Sequence, residues 1–394
     1  MTYVGTFTLN PSQISVDAGS RLRTSAMYTL GDYKTLNSDK PMLLETVGSG
    51  TGTFTNNKYN MAVASGQWMV RRSRRFHPYF SGKSQMIEMT FDNFQTETNV
   101  VKRAGYYSSN AVSPYDLTYD GFWLENDGTT IRLKVSRAGT STLDVPITSW
   151  DGYSAISTYD WSKFTVIMFD FLWLGGAVLR LWLKTSAGFV LCHTFNYSGS
   201  SADTFIKSPN QPIRFEIRSS TGVGALRAVC AQVSTETGSV SENGVMRYVD
   251  TGTTFNVQTI GTTYPIKAIR KLATHRDIAV QIEAASLLIT TSDTLIWSFQ
   301  INPTLSAPLT YGTLTNSAVE HADGNGVITV TSPGIVIGGG LVTTTIPMSE
   351  YLFDTNYLSF LSSSITNTMD EYILCATPLT TAISVYGGLS FKEF

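Results

Sequence analysis

The chain has 394 residues, of which 15% are charged, and carries a formal net charge of −2. Its length allows two or three domains, and its near-neutral charge excludes both the basic surface of a nucleic-acid-binding protein and the acidity of a disordered, solvating chain. So few charges, together with abundant Ser and Thr, favour β-strands and permanent contacts between subunits.

Neither secretion nor membrane insertion is predicted from the sequence. The first residues lack the basic and apolar regions of a signal peptide. The most apolar run, residues 164–174, contains Asp170 and is too short to cross a bilayer. Three widely spaced cysteines, an odd number, indicate free thiols from a reducing cytoplasm.

Residues 1–58 are rich in Gly, Ser, Thr and Asn and show little periodicity. The run 48–53, Gly-Ser-Gly-Thr-Gly-Thr, is typical of a flexible link or a turn. We therefore expect an extended N-terminal arm, an attachment segment that becomes ordered when it docks.

Residues 59–240 alternate between apolar and polar side chains. Alternation with a period of two places one face of a strand in a core and the other in a polar environment. Clear examples are residues 131–136, 179–184 and 213–218, whereas residues 165–169 are apolar on both faces. Turn signals separate these runs, and the spacing predicts two packed antiparallel sheets, a jelly-roll or concanavalin-like β-sandwich.

A polar stretch at 236–244 is the best candidate for a domain boundary. Beyond it, further apolar runs indicate strands at residues 278–282, 295–299, 327–331, 372–376 and 383–386. The sequence thus predicts an all-β chain: an arm at 1–58, a β-sandwich at 59–240 and a second, smaller β-domain at 241–394.

Residues suited to catalysis or metal binding are scarce. Four histidines occur, and none is spaced from another as a pair of metal ligands on one element. Cys192 and His193 are adjacent in an alternating run, so they face opposite ways and cannot easily act together. Glu88 stands alone, and Asp370 and Glu371 diverge, whereas glycoside hydrolysis needs two carboxyl groups around one bond. We therefore expect no enzyme activity, no catalytic residue, no metal and no cofactor.

Four arginines occur within five residues, Arg71, Arg72, Arg74 and Arg75. Such a cluster could contact phosphates, but a strand would divide it between two faces, and the rest of the chain supplies no continuous basic surface. The alternative is pairing with carboxylates across a sheet or at a contact between subunits. We assign these arginines to a candidate interface and predict no nucleic-acid partner.

Several aromatic residues are candidates for stacking on a sugar. Trp123 follows a run of tyrosines, and Trp150 and Tyr153 flank an Asp-Gly pair typical of a loop tip, where binding residues often lie. Packing in a core or an interface is the alternative for such side chains. The candidate glycan contacts are Trp123, Trp150 and Tyr153.

The arginine run also resembles a known family. Residues 70–88 read VRRSRRFHPYFSGKSQMIE, an Arg-rich strand followed by a Gly-Lys-Ser-Gln turn and an apolar strand. This order is similar to that in virion structural proteins of tailed bacteriophages and large DNA viruses. Further matching segments are residues 102–107, 160–163, 169–175, 192–195 and 208–217, and more loosely 288–291, 301–305 and 389–394. The family more often has Leu where Gln211 stands.

The resemblance covers about residues 60–394 and implies a jelly-roll or lectin-like sandwich with a second β-domain, and no catalytic residues. It favours a non-enzymatic virion structural protein, a decoration or fibre subunit of a phage head or tail, made in the host cytoplasm. Its partners would be copies of itself, with a trimer as the expected state, and capsid, portal or tail proteins.

Two other functions remain open. The first is a carbohydrate-binding adhesin that attaches the particle to host surface glycans, because a lectin-like sandwich offers loop tips and an open sheet face to sugars. The second is a glycan depolymerase, which the missing pair of carboxylates disfavours.

Overall fold

The computed structural model describes residues 16–23, 26–34, 48–109, 117–236, 244–257, 259–290, 294–343, 351–352 and 360–394. The chain divides into two compact units, Met1–Val240 and Ser241–Phe394. The predicted boundary at 236–244 lies almost wholly outside the described residues.

The strands of the first unit are β1 (Met27–Lys34), β2 (Thr51–Thr55), β3 (Lys58–Val63), β4 (Trp68–Arg72), β5 (Gln85–Asp92), β6 (Val100–Ser109), β7 (Tyr119–Asn126), β8 (Ile131–Arg137), β9 (Thr140–Pro146), β10 (Thr165–Leu172), β11 (Val178–Thr185), β12 (Gly188–Asn196), β13 (Ile213–Ser219) and β14 (Gly224–Glu236). A 3-10 turn at Ile147–Ser149 and a single turn of helix, α1 (Tyr153–Ile156), interrupt them.

The strands of the second unit are β15 (Val245–Asp250), β16 (Phe255–Val257), β17 (Tyr264–Lys271), β18 (Val280–Ile289), β19 (Thr294–Ile301), β20 (Thr304–Leu305), β21 (Gly312–Thr313), β22 (Val319–Asp323), β23 (Val330–Ser332), β24 (Ile335–Thr343), β25 (Tyr351–Leu352), β26 (Tyr372–Pro378) and β27 (Ile383–Glu393). A 3-10 turn lies at Ala273–His275. The predicted all-β fold class is confirmed.

Two antiparallel sheets form the first unit. The eight-stranded sheet has the order β12-β11-β10-β5-β14-β3-β2, with β1 also paired to β14, and the six-stranded sheet has the order β4-β13-β6-β7-β8-β9. Aromatic rings fill the space between them. Phe122 on β7 packs against Phe169 and Phe171 on β10 at centroid distances of 5.2 and 5.0 Å. The two sheets therefore form a β-sandwich around an aromatic core.

The described part of the predicted arm, residues 16–23, 26–34 and 48–58, belongs to this sandwich. Strand β1 pairs with the C-terminal half of β14, and β2 pairs with β3. Val16 is 1% exposed, and its carbonyl accepts a hydrogen bond from Arg180 on β11. Arg23 forms ion pairs with Asp170 and Glu236 at 2.8 and 2.7 Å. Backbone pairing and ion pairs thus connect the described part of this segment to β11, β10 and β14.

His77 joins β1 to the rest of the core and gives the first unit a pH-dependent stability. Its ring is fully buried between the Tyr33 hydroxyl, at 2.6 Å from Nε2, and the Gln211 carbonyl, at 3.0 Å from Nδ1. Burial, reinforced by the charge of Arg75, holds the pKa of His77 well below its ordinary value. The folded protein therefore keeps this ring neutral while the unfolded chain protonates it below a pH of about 6.5.

We expect the free energy of unfolding to fall by about 1.4 kcal/mol per pH unit below pH 6.5, and this contribution to be fully retained above it. In His77→Gln that part of the slope should vanish. Urea unfolding between pH 5 and 8, followed by tryptophan fluorescence, measures it, since six of the seven tryptophans lie in the first unit. Equal slopes in the two proteins would contradict the assignment.

The second unit contains a five-stranded sheet of β15, β16, β18, β25 and β27 and a six-stranded sheet with the order β21-β22-β17-β26-β19-β24. One apolar cluster includes buried side chains from both sheets, such as Ile282 and Phe391 from the first and Trp297 and Leu374 from the second. This unit is therefore also built around a core shared by two sheets.

Candidate functional site

The outer face of the six-stranded sheet in the first unit carries a dense group of polar and aromatic side chains. Strand register places these side chains side by side, since residues that are paired across antiparallel strands share a face. We call this group the outer-face cluster; it consists of Arg103, Tyr107, Tyr119, Trp123, Glu125, Arg214 and Glu216.

Glu216 on β13 lies at the centre of the outer-face cluster and is 1% exposed. Arg103 Nη1 donates to its Oε1 at 2.5 Å, and Arg214 Nη2 donates to its Oε2 at 2.6 Å. The Tyr119 hydroxyl adds a hydrogen bond of 2.8 Å. Both carboxylate oxygens are therefore engaged by donors from the chain itself.

Glu125 on β7 is the second carboxylate of the outer-face cluster. Arg103 Nε donates to its Oε2 at 2.5 Å, and the Lys134 ammonium lies 2.9 Å from its Oε1. The Trp123 indole donates to the same Oε2 at 3.2 Å. Arg103 thus bridges two carboxylates.

Both carboxylates are ionised. Burial opposes ionisation of Glu216, but the charges of Arg214 and Arg103 outweigh it and hold its pKa below the ordinary value. For Glu125 burial is likewise outweighed, by Arg103 and Lys134, and its pKa is lowered too. Two-carboxylate glycoside hydrolysis needs one carboxyl group with a raised pKa that donates a proton, and neither Glu216 nor Glu125 meets that need.

An open depression of about 350 Å³ lies on the same outer face, at the end where β4, β13 and β6 meet. We call it the Trp68 depression. Its lining residues are Trp68, Asn99, Val101, Asp127, Arg218, Ser219 and Ser220. Strand register brings three of these side chains together, because Arg218 on β13 pairs with Trp68 on β4 and with Val101 on β6.

The turn of residues 219–222 fixes one wall of the Trp68 depression. The Ser220 amide donates to the Asn99 carbonyl at 3.0 Å, and the Asn99 side-chain amide donates to Thr221 Oγ1 at 2.8 Å. The Arg218 guanidinium lies over the indole ring of Trp68, 5.1 Å from its centroid. An aromatic ring, a guanidinium, an amide and a carboxylate therefore converge on one preformed surface.

The arginines assigned to an interface are largely buried within the chain. Arg71, Arg72 and Arg75 are 3%, 3% and 6% exposed, and Arg74 is partly buried. Arg71 stacks on the ring of Tyr59 at 3.9 Å. These side chains contribute to packing inside the first unit. Their assignment to an interface between subunits stays a prediction.

Two of the three predicted glycan contacts, Trp123 and Trp150, are buried. Trp123 is 4% exposed and packs against Tyr107, with ring centroids 5.0 Å apart, within the outer-face cluster. Trp150 is 3% exposed and donates to the Val145 carbonyl. Tyr153 opens α1 and is partly exposed. None of the three lines the Trp68 depression.

Within the described ranges, no group of three His, Cys, Asp or Glu side chains could hold a metal ion. One oxygen-rich loop instead surrounds an ammonium group. Lys102 is fully buried, and its Nζ lies 2.6 Å from the Asn93 carbonyl and 3.1 Å from the Glu97 carboxylate. Over the described residues no helix is long and apolar enough to cross a membrane.

The residues of the Trp68 depression were not singled out from the sequence. Trp68 and Arg218 are 150 positions apart, and only the pairing of β4 with β13 brings them together. The alternating run 213–218 signals a strand, but it carries no signal of which strand is its neighbour.

No protein-family model matches the chain, and no curated protein matches its sequence. Among solved structures, similar ones include the carbohydrate recognition domain of Emp47p (12% identity, 53% of this chain and 96% of that one, TM-score 0.36). A β-glucanase of Bacillus licheniformis covers 55% of this chain and 100% of its own, at 12% identity and a TM-score of 0.36. A protein of unknown function from Shewanella oneidensis shows 10% identity over 55% of this chain and 89% of its own, with a TM-score of 0.38. Likenesses this weak carry no argument about function, and the resemblance to virion proteins stays a prediction.

Proposed function

We propose that this chain is a non-catalytic carbohydrate-binding protein whose site is the Trp68 depression. The observation that carries the proposal is the convergence of the Trp68 ring with Arg218, Asn99 and Asp127 on an open, preformed surface. This is the adhesin function that the sequence left open, with its site moved from Trp123 and Trp150 to Trp68.

The chemistry of the depression suits a sugar. A pyranose ring has an apolar face of C–H groups that stacks on an indole, while its hydroxyls are bound by planar groups that offer paired donors or acceptors. Asn99 and Arg218 supply donors, and Asp127 supplies acceptor oxygens. Trp68 and Arg218 lie on paired strands of a sheet, so both side chains are positioned before a ligand binds.

We propose binding without cleavage because the outer-face cluster lacks a protonated carboxyl group that could act as a general acid. Glu125 and Glu216 are both ionised, buried and bonded to arginine. Neither carboxylate can donate a proton to a leaving group or reach a substrate. Among the described residues, Asp127 is the one carboxylate that lines the depression.

Replacing Trp68 by alanine is expected to weaken binding of the best glycan on an array by at least tenfold, about 1.4 kcal/mol, because the stacking surface is removed. Calorimetry with that glycan measures the loss. Trp68→Phe should retain part of the affinity, since a smaller aromatic ring remains.

The matched control is Phe164→Ala, which removes an aromatic side chain that is 54% exposed and lies outside the depression. It should bind as the wild type does. Undiminished binding by a folded Trp68→Ala protein, or release of products from the glycan by wild-type protein, would refute the proposal.

A place in a virus particle, a trimeric state and capsid, portal or tail partners remain predictions. Exposed apolar side chains on the edge strand β15 favour self-association, since Val245, Met246 and Tyr248 are 54%, 55% and 52% exposed. Sedimentation of the purified chain should give three times the mass of one chain, and Met246→Lys should lower it. A single-chain mass for the wild type would reject the trimer.

A further inference from the structure

Arg218 is a cation without an acidic partner in the Trp68 depression. Its guanidinium lies 5.1 Å from the centroid of the Trp68 ring, within the range of a cation–π interaction. Across the described residues, no carboxylate pairs with Arg218 and no oxygen accepts a hydrogen bond from it.

The charged groups around Arg218 are already satisfied. Arg103 and Arg214 are bound to the carboxylates of the outer-face cluster. Asp127, the acid that lines the depression, accepts hydrogen bonds at Oδ1 from Thr129 and Thr130, with backbone N–H distances of 2.8 Å each. Asp127 is therefore bound within its own turn. The N–H donors of Arg218 remain available to a ligand.

We infer that the ligand of the Trp68 depression is an acidic glycan, with a sugar carboxylate bound by Arg218. The inference rests on the proposed carbohydrate function and names its substrate class. A guanidinium matches a carboxylate with two parallel N–H···O bonds, and such charge-assisted pairs are about twice as strong as neutral hydrogen bonds. The contact with Trp68 already restrains the Arg218 side chain, so less side-chain freedom is lost on binding.

The test is an array that carries neutral oligosaccharides beside uronate- and sialate-containing ones. The bound glycans should be acidic. Calorimetry then compares the best of them with its carboxyl-reduced form, which should bind on the order of 10- to 100-fold more weakly. Arg218→Gln should lose affinity by a similar factor, and Arg218→Lys by less, because a point charge remains.

Arg227→Gln is the matched control, since Arg227 is a partly exposed arginine outside the Trp68 depression, and it should bind normally. Binding of neutral glycans that depends on Trp68 and is unchanged in Arg218→Gln would overturn the acidic ligand while leaving the carbohydrate function intact. Absence of binding to any glycan would overturn both.

Discussion

Replacing Glu216 by glutamine is expected to lower the free energy of unfolding of the first unit by roughly 3–5 kcal/mol. The change is nearly isosteric, but it leaves Arg103 and Arg214 with less negative charge in a buried position. The Arg214 guanidinium is 2% exposed and has its ion pair with Glu216 at 2.6 Å. Losing one partner of a buried ion pair costs far more than the pair itself contributes.

Glu88→Gln is the control for this prediction. Glu88 is a partly buried carboxylate on β5, and burial raises its pKa. Neutralising it should leave the stability unchanged or slightly higher. Urea unfolding at pH 7 measures both variants by tryptophan fluorescence. If the Glu216 variant unfolded at the same urea concentration as the wild type, the ion pairs of Glu216 with Arg103 and Arg214 would not stabilise the first unit as predicted.

Deleting residues 1–34 is expected to destabilise the first unit by several kcal/mol or to prevent its folding. The deletion removes β1 and with it the buried Tyr33 and Leu30, which are 2% and 5% exposed. Burial of side chains of this size stabilises by about 1.5–3 kcal/mol each. The deletion also removes the ion pair between Arg23 and Asp170.

Differential scanning calorimetry of the truncated chain tests this expectation, with Arg23→Ala as a milder variant that removes only the ion pairs to Asp170 and Glu236. The second unit serves as an internal reference. An unchanged transition of the first unit after truncation would contradict this expectation and favour an attachment arm at residues 1–58 that the fold does not need.

The strands were largely predictable because their alternation is strong. Residues 131–136, 179–184 and 213–218 fall within β8, β11 and β13, as the period of two required. Strand β1 was not predicted because its sequence, MYTLGDYK, alternates weakly and it is held by backbone pairing with β14. Pairing of that kind depends on a partner 200 residues away and leaves no local pattern.

The site was the least predictable feature. In the sequence Glu88 stands alone between apolar neighbours, whereas the structure brings Glu125 and Glu216 together from strands β7 and β13, on either side of β6. Trp123 looked accessible from its aromatic neighbours, but the same neighbours bury it. Exposure and register are properties of the assembled sheet, so composition cannot supply them.

Hydrogen exchange measured with and without a saturating glycan tests the central claim most directly. The account predicts slower exchange in peptides that contain Trp68, Asn99 and residues 218–220, and no change in the second unit. Protection confined to the hairpin of β2 and β3, or to any part of residues 244–394, would place the binding surface elsewhere and contradict the account.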